Sequence, residues 1–237
     1  GPADQNPSSP LNLVGDFGGG GMLMALGICA ALYEREQSGK GQVLDVAMVD
    51  GAAQLSNFIY GMRSAGAWNE PRGRNLLDGG AHFYTTYECA DGGYMAIGAI
   101  EPQFYAALLN GLGLDPEALP QQHDRAQWPA MHEKFATVFK SQARAHWEGV
   151  FDGTDACASP VLTPEEAYVH PANTERGVFF EREGISQAMP APRFSRTQSE
   201  KPKPAPAAAD SDTEAILAEV GLDSDQIAAL KSSGALG

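Results

Sequence analysis

The sequence is poor in cysteine: Cys29, Cys89 and Cys157 are its three, an odd number at wide spacings. That excludes a disulfide framework and a CxxC metal site, and reads as reduced thiols that mostly pack. Basic residues are also scarce, 16 Lys and Arg against 30 Asp and Glu, for a net charge of −14. A polyanion of this kind is repelled by nucleic acid and by anionic membranes, which excludes both as main partners while leaving room for a local basic pocket. No uninterrupted apolar run approaches the roughly 18 residues of a transmembrane helix, and no basic segment with an apolar core behind it marks a signal peptide. The expectation is a cytoplasmic chain without a membrane span. A phosphate loop is missing too, because Gly41 follows Lys40 where the Walker pattern requires Ser or Thr. What is there is 237 residues with 43% hydrophobic side chains, enough to build one large or two small domains.

One stretch stands out, "LNLVGDFGGGGMLMALGICAALYERE" at 11–36. It sets Asp16 between an apolar run and the glycines Gly18–Gly21, and Met22, Leu23, Leu26, Cys29, Ala30 and Tyr33 follow at helical spacing. Asp is a favoured N-cap, and a cap alone is the simpler reading. Against it stands the glycine run, since each glycine in a first turn costs about 0.5–1 kcal/mol relative to Ala. The alternative is a functional turn in which another molecule approaches the backbone.

Along the chain, the pattern predicts a helix over about 19–36, a short strand at Val43–Val46, and a second helix from about Asp50 to Ala65. Residues 69–81 are rich in Gly, Arg and Asn and read as a long loop. "HFYTTYECADGGYMAIGAI" has a hairpin signature around Ala90-Asp91-Gly92-Gly93. Glu101 and Pro102 fall in the first turn of the next helix, where the missing Pro N–H has no partner to lose. Helices at 127–141 and 144–151 and short strands near "ACASPVL" and "GVFFE" follow. The proposed division is 1–82 as part of a large α/β domain, 83–187 as a small α+β domain, 188–209 as a Pro-rich linker and 210–237 as terminal helices returning to the large domain.

The motifs "PLNLVGDFGGGGM", "SGKGQVLDVAMVDG", "LLDGGAHFYTTYECADGGYMAIGAIEPQFYAALL", "DACASPVL", "MPAPRFS" and "VGLDSDQIAAL" occur in this order. Together they resemble the carboxyl-terminal two-thirds of the α-methylacyl-CoA racemase group within the family III CoA-transferases (CaiB/BaiF-like). The resemblance implies a Rossmann-like large domain, incomplete at its N-terminus, plus a small α+β domain. It implies an acyl-CoA thioester substrate, no separate cofactor because CoA is part of that substrate, no metal, and an interlocked homodimer for the full-length protein. It places a catalytic base on Asp16 and an orienting carboxylate on Glu101. Gly15, Phe17, Gly18 and Gly19 are then oxyanion-side backbone, and Met24, Met48 and Met62 an acyl-chain surface, with ordinary core packing as the competing account of these methionines.

Chemistry asks for those residue types. Inverting a carbon α to a thioester needs one acid/base group on each face and donors for the enolate between them. The family's second base is a histidine upstream of this chain, which opens on Gly1-Pro2 without Met and is accordingly read as a truncated, inactive piece. His82, His123, His132, His146 and His170 match no such motif and read as surface or partly buried polar groups. Arg72 and Arg74 stay open between a phosphate contact and pairing with acids. Two rival functions remain: a CoA-transferase with Asp16 as nucleophile, or a non-catalytic fragment or degenerate relative.

Overall fold

A computed structural model describes residues 6–70, 72–204 and 212–236. The chain divides after Val161 into two compact units.

The first unit opens with a π-helical segment, Leu13–Met22, that runs directly into α1 (Leu23–Ser38). Helix therefore begins before the glycines and includes them, earlier than the expected start near 19. Gly39, at φ +71, ends α1 in the left-handed conformation that a Cβ disfavours. No strand forms at 43–46: the segment pairs with no described strand, and Val43 is 94% exposed. Alternating β-branched residues cannot make a strand without a neighbour to complete the ladder. The second expected helix is two, α2 (Met48–Leu55) and α3 (Asn57–Ser64), with the break at Ser56.

The π-helical segment packs on α2 through bare backbone. A Cβ on Gly51 would lie 1.9 Å from the Gly19 carbonyl oxygen, and one on Gly19 would lie 2.9 Å from the Ala52 nitrogen. Gly18 and Gly20 face Leu55 and Met48 at 3.3 Å by the same construction. The glycine run is thus explained in part by helix approach.

After the loop, β1 (Tyr84–Glu88) and β2 (Tyr94–Gly98) form the expected hairpin in register Thr86↔Ala96, and β3 (Ala158–Val161) adds antiparallel to β2. Gly92 takes φ +82 in the turn. The Asp91 carboxylate accepts from the N–H groups of Gly93 and Arg144. The Arg144 N–H in particular holds this carboxyl below its usual range and pins the start of α6 (Arg144–Phe151) to the hairpin. Helices α4 (Pro102–Gly111) and α5 (Trp128–Phe139) cover the sheet. Helix α5 buries Trp128, Met131, Phe135 and Phe139 at the spacing of one helical face. Tyr87 stacks on Phe139 at 5.1 Å, and Trp147 meets Phe139 edge-on at 5.2 Å.

The second unit holds α7 (Pro164–Val169), α8 (Pro171–Arg176), the hairpin β4 (Phe179–Arg182) and β5 (Ile185–Ala188), and helices α9 (Thr213–Glu219) and α10 (Ser224–Ser232). Capping boxes Thr163–Glu166 and Asp223–Gln226 start α7 and α10. The Arg193 guanidinium of "MPAPRFS" donates to the carbonyls of Arg176 and Gly177, closing the end of α8.

Candidate functional site

Asp16 lies exposed in the first turn of the π-helical segment, four residues after its N-cap. The N-cap is Asn12, and it makes no side-chain capping bond. The reading of Asp16 as the N-cap is therefore overturned, because the helix starts three residues before it; its charge sits in that first turn, where a carboxylate is favourable without a capping bond. Among the described residues no hydrogen bond or ion pair engages the Asp16 side chain. Gly15 beside it faces open space, a Cβ there meeting nothing within 4 Å. π-helical turns are rare and recur at functional sites. Phe17 is exposed as well, Gly18 half-buried and Gly19 buried.

Met24 and Met48 are exposed and Met62 is half-buried, so core packing within this chain accounts for none of them fully. They belong to a larger apolar surface on α1 to α3 that includes Leu26, Leu32 and Phe58. The continuous helical run Leu13–Ser38, 26 residues, is long and apolar enough to cross a membrane by length and composition. A count of uninterrupted apolar residues does not register it, because glycines and Asp16 interrupt the run near its start and Glu34, Arg35 and Glu36 close it. One such helix is weak evidence for a membrane, since a helix that seats in a larger soluble domain passes the same test.

Glu101 is the N-cap of α4, one residue before the first turn in which the sequence pattern sets it, with extended backbone (φ −74, ψ 145) that delivers its side chain at the end of β2. Across from it Cys157, at φ +49, accepts at its carbonyl from the Gly98 N–H at 2.8 Å. Burial, with Glu101 and Asp155 adding to it, raises the Cys157 thiol above its usual range. Cys157 lines a cleft of about 520 Å³ across the sheet with Leu77, Tyr84, Thr86, Ile97 and Ser159. Glu101 is close enough to Cys157 for its charge to act on that thiol, but it does not itself line the cleft. No hydrogen bond or ion pair among the described residues joins Asp16 to Glu101.

Two arrangements had no clear signal in the sequence. In the loop, Asp78 accepts from the N–H groups of Gly73, Asn75 and Gly80 and from Asn75 Nδ2. Burial acts to raise its carboxyl, but these donors outweigh it and hold the pKa low. Asn75 is fully buried and exchanges bonds with both backbone groups of Asn69. The second is a buried ring system. His82 is 1% exposed, contrary to its reading as a surface or partly buried polar group, because Phe83, Tyr105 and Phe135 enclose it edge-on. Its Nε2 bonds Tyr105 Oη at 2.8 Å, Tyr87 Oη donates to its carbonyl at 2.7 Å, and its Nδ1 has no partner. Burial, reinforced by His132 and His123, lowers its pKa to about 4. The bonds and ring contacts of His82, His123, His132 and His146 are all made within the sheet-and-helix core and none reaches Asp16.

With this geometry in view, the chain can be placed. Residues 1–213 match the model of CoA-transferase family III, and the chain belongs to that family. Its fold is the mixed α/β fold of that group: it superposes on a CaiB/BaiF family protein from Brucella suis with a TM-score of 0.69 at 22% identity, covering 93% of this chain and 58% of that one. Among curated proteins it is 50% identical over 233 residues to the mouse alpha-methylacyl-CoA racemase and 48% identical over 234 residues to the human one. Each match covers 98% of this chain and 61% of the relative, so the chain spans less than two-thirds of their length.

Proposed function

We propose that the protein carrying this chain interconverts the (2R) and (2S) forms of 2-methylacyl-CoA thioesters by removing the α-proton on one face and returning it on the other through an enolate. The observation that carries this is the match to racemases at about half identity over nearly the whole chain. The second support is a carboxylate, Asp16, that makes no hydrogen bond or ion pair among the described residues and stands beside the open Gly15. Asp16 is the base on one face. The thioester oxygen, where negative charge develops, approaches the backbone at the open Gly15; Phe17 N–H is already given to the Asn12 carbonyl and Gly19 is buried against α2. Glu101 orients the second base, a histidine supplied outside this sequence, as the third member of a triad orients its base. The exposed Phe17, Met24 and Met48, with Met62, form an apolar track for the acyl chain. Exposed apolar area of this extent marks an interaction surface, which fits the homodimer expected of the complete protein, held in the cytoplasm.

The 237-residue chain alone offers one base in a matching motif and therefore does not racemise. The deciding assay incubates the protein carrying this chain with an enantiopure 2-methylacyl-CoA in D2O, and separately with a free acid acceptor. Racemisation with deuterium entering at the α-carbon supports the reading. Transfer of CoA to the acid without exchange replaces it with a transferase in which Asp16 is the nucleophile. Glu101→Gln is expected to lower the rate less than Asp16→Asn, since it removes an orienting charge and not a proton carrier.

A further inference from the structure

Loop 69–80 and the start of α5 enclose a cleft of about 780 Å³ that the chemistry above leaves unused. Arg72, Arg74 and Arg125 line it, three of the chain's 16 basic residues, in a molecule whose net charge is −14. Its one acid, Glu70, is engaged by Arg63 at 2.6 Å. The neighbouring Asp78 turns both carboxylate oxygens onto the loop's own N–H groups. The charge of Arg74 and Arg125 in the cleft is therefore not cancelled by these acids.

Arg125 is also held in place. The Arg125 guanidinium lies 5.5 Å over the Trp128 ring and donates to the Ala67 carbonyl, and Trp128 is itself buried and bonded to the Gln122 carbonyl at 2.9 Å. Arg72 and Arg74 flank Gly73, whose N–H Asp78 fixes at 2.9 Å. A group of guanidinium forks around one fixed member suits phosphate oxygens, which accept parallel N–H bonds, better than it suits a single halide or a neutral ligand. The volume exceeds what one inorganic phosphate fills and lies in the range of small-ligand sites.

We propose that this cleft binds a ligand carrying two or more phosphate groups through Arg74, Arg125 and Arg72. The shared chemistry is the oligophosphate; it reaches the cleft either as the nucleotide end of a CoA thioester or as a free nucleotide or diphosphate. Titration calorimetry of the purified chain with inorganic pyrophosphate, adenosine 3′,5′-bisphosphate and free CoA tests this, with sulfate as the simple-anion arm. Expected is one-to-one binding of pyrophosphate that weakens as salt is raised toward about 0.15 M. It falls about tenfold or more in Arg74→Gln/Arg125→Gln, while Arg35→Gln on α1 leaves it unchanged. Because Arg125→Gln also removes the stack on Trp128, Arg74→Gln alone, at an exposed residue, carries the test if the double variant fails to fold. Stronger binding of the bisphosphate and CoA than of pyrophosphate assigns the nucleotide end of CoA, and equal binding assigns any oligophosphate; both support the site. No heat with any phosphate probe, equal affinity in the variants, or equal binding of sulfate overturns it. None of these readouts involves Asp16, so the outcome stands apart from that of the racemase reading.

Discussion

Two regions of the first unit have similar apolar content and opposite fates. In the sheet and helices from Ala81 to Val161, aromatic and aliphatic side chains close on one another until Phe83, Phe135 and Phe139 have no exposed surface. From Leu11 to Ser64, Leu13, Phe17, Leu26, Leu32 and Phe58 remain exposed, and the buried residues of the helices there are the glycines Gly19, Gly20 and Gly51. One region is held by side-chain packing, the other by backbone laid against backbone. The packed region can be understood from its own residues. The open one presents a surface that carries a carboxylate, Asp16, with no hydrogen bond or ion pair among the described residues.

The contrast can be broken most severely at Phe135. Phe135→Ala empties a fully enclosed site and is expected to cost about 3–5 kcal/mol in urea unfolding, whereas Leu26→Ala on α1 is expected to stay within about 0.5 kcal/mol. Comparable losses at both would erase the distinction.

Acid tests the packed region next. His82 binds its proton in the fold only near pH 4, against about 6.5 unfolded, so the unfolded chain takes up more protons as pH falls. The neutral His82 costs nothing above pH 6.5; stability is lost progressively between pH 6.5 and 4, by about 3 kcal/mol at most. Urea midpoints in His82→Asn should flatten over that window, and an unchanged slope would remove His82 as the cause. Asp78 acts in the same direction at lower pH: its depressed pKa adds stability that is present above its ordinary value near 3.8 and lost as pH falls through the folded value.

A smaller effect sharpens the backbone side of the comparison. Gly51→Ala forces a methyl into the Gly19 carbonyl, and backbone cannot yield as a side chain does, so about 1–3 kcal/mol is expected. Amide exchange should quicken around Gly19 and Ala52 while the sheet stays protected. Equal protection everywhere would mean that the close approach is not what holds the open region.

The same contrast sets what could be seen in the sequence. The hairpin, α5 and α6 were legible because their periodicity, turn residues and core partners all lie within about 70 residues of one another. The strand expected at 43–46 failed since a strand needs a neighbour and the pattern does not say whether one is present. Asp16 was legible as a candidate from its glycines and from the family motif, but its capping role was not testable without seeing that the helix starts before it. Arg72 and Arg74 were visible as isolated charges; that Arg125 joins them is a fact of folding, 51 residues apart in sequence from Arg74. His82 could not be read as enclosed because, beyond the adjacent Phe83, the rings around it come from Tyr105 on α4 and Phe135 on α5, at separations that no local pattern encodes.

The central claim is that Asp16 is open because it handles a proton. It is tested most directly by following deuterium entry at the α-carbon of each enantiomer of a 2-methylacyl-CoA in D2O, in the protein carrying this chain and in its Asp16→Asn variant. Asparagine keeps the size and removes the base. Near-complete loss of racemisation, with the fold intact by circular dichroism, is the result predicted. Exchange at close to the normal rate from both enantiomers would contradict it.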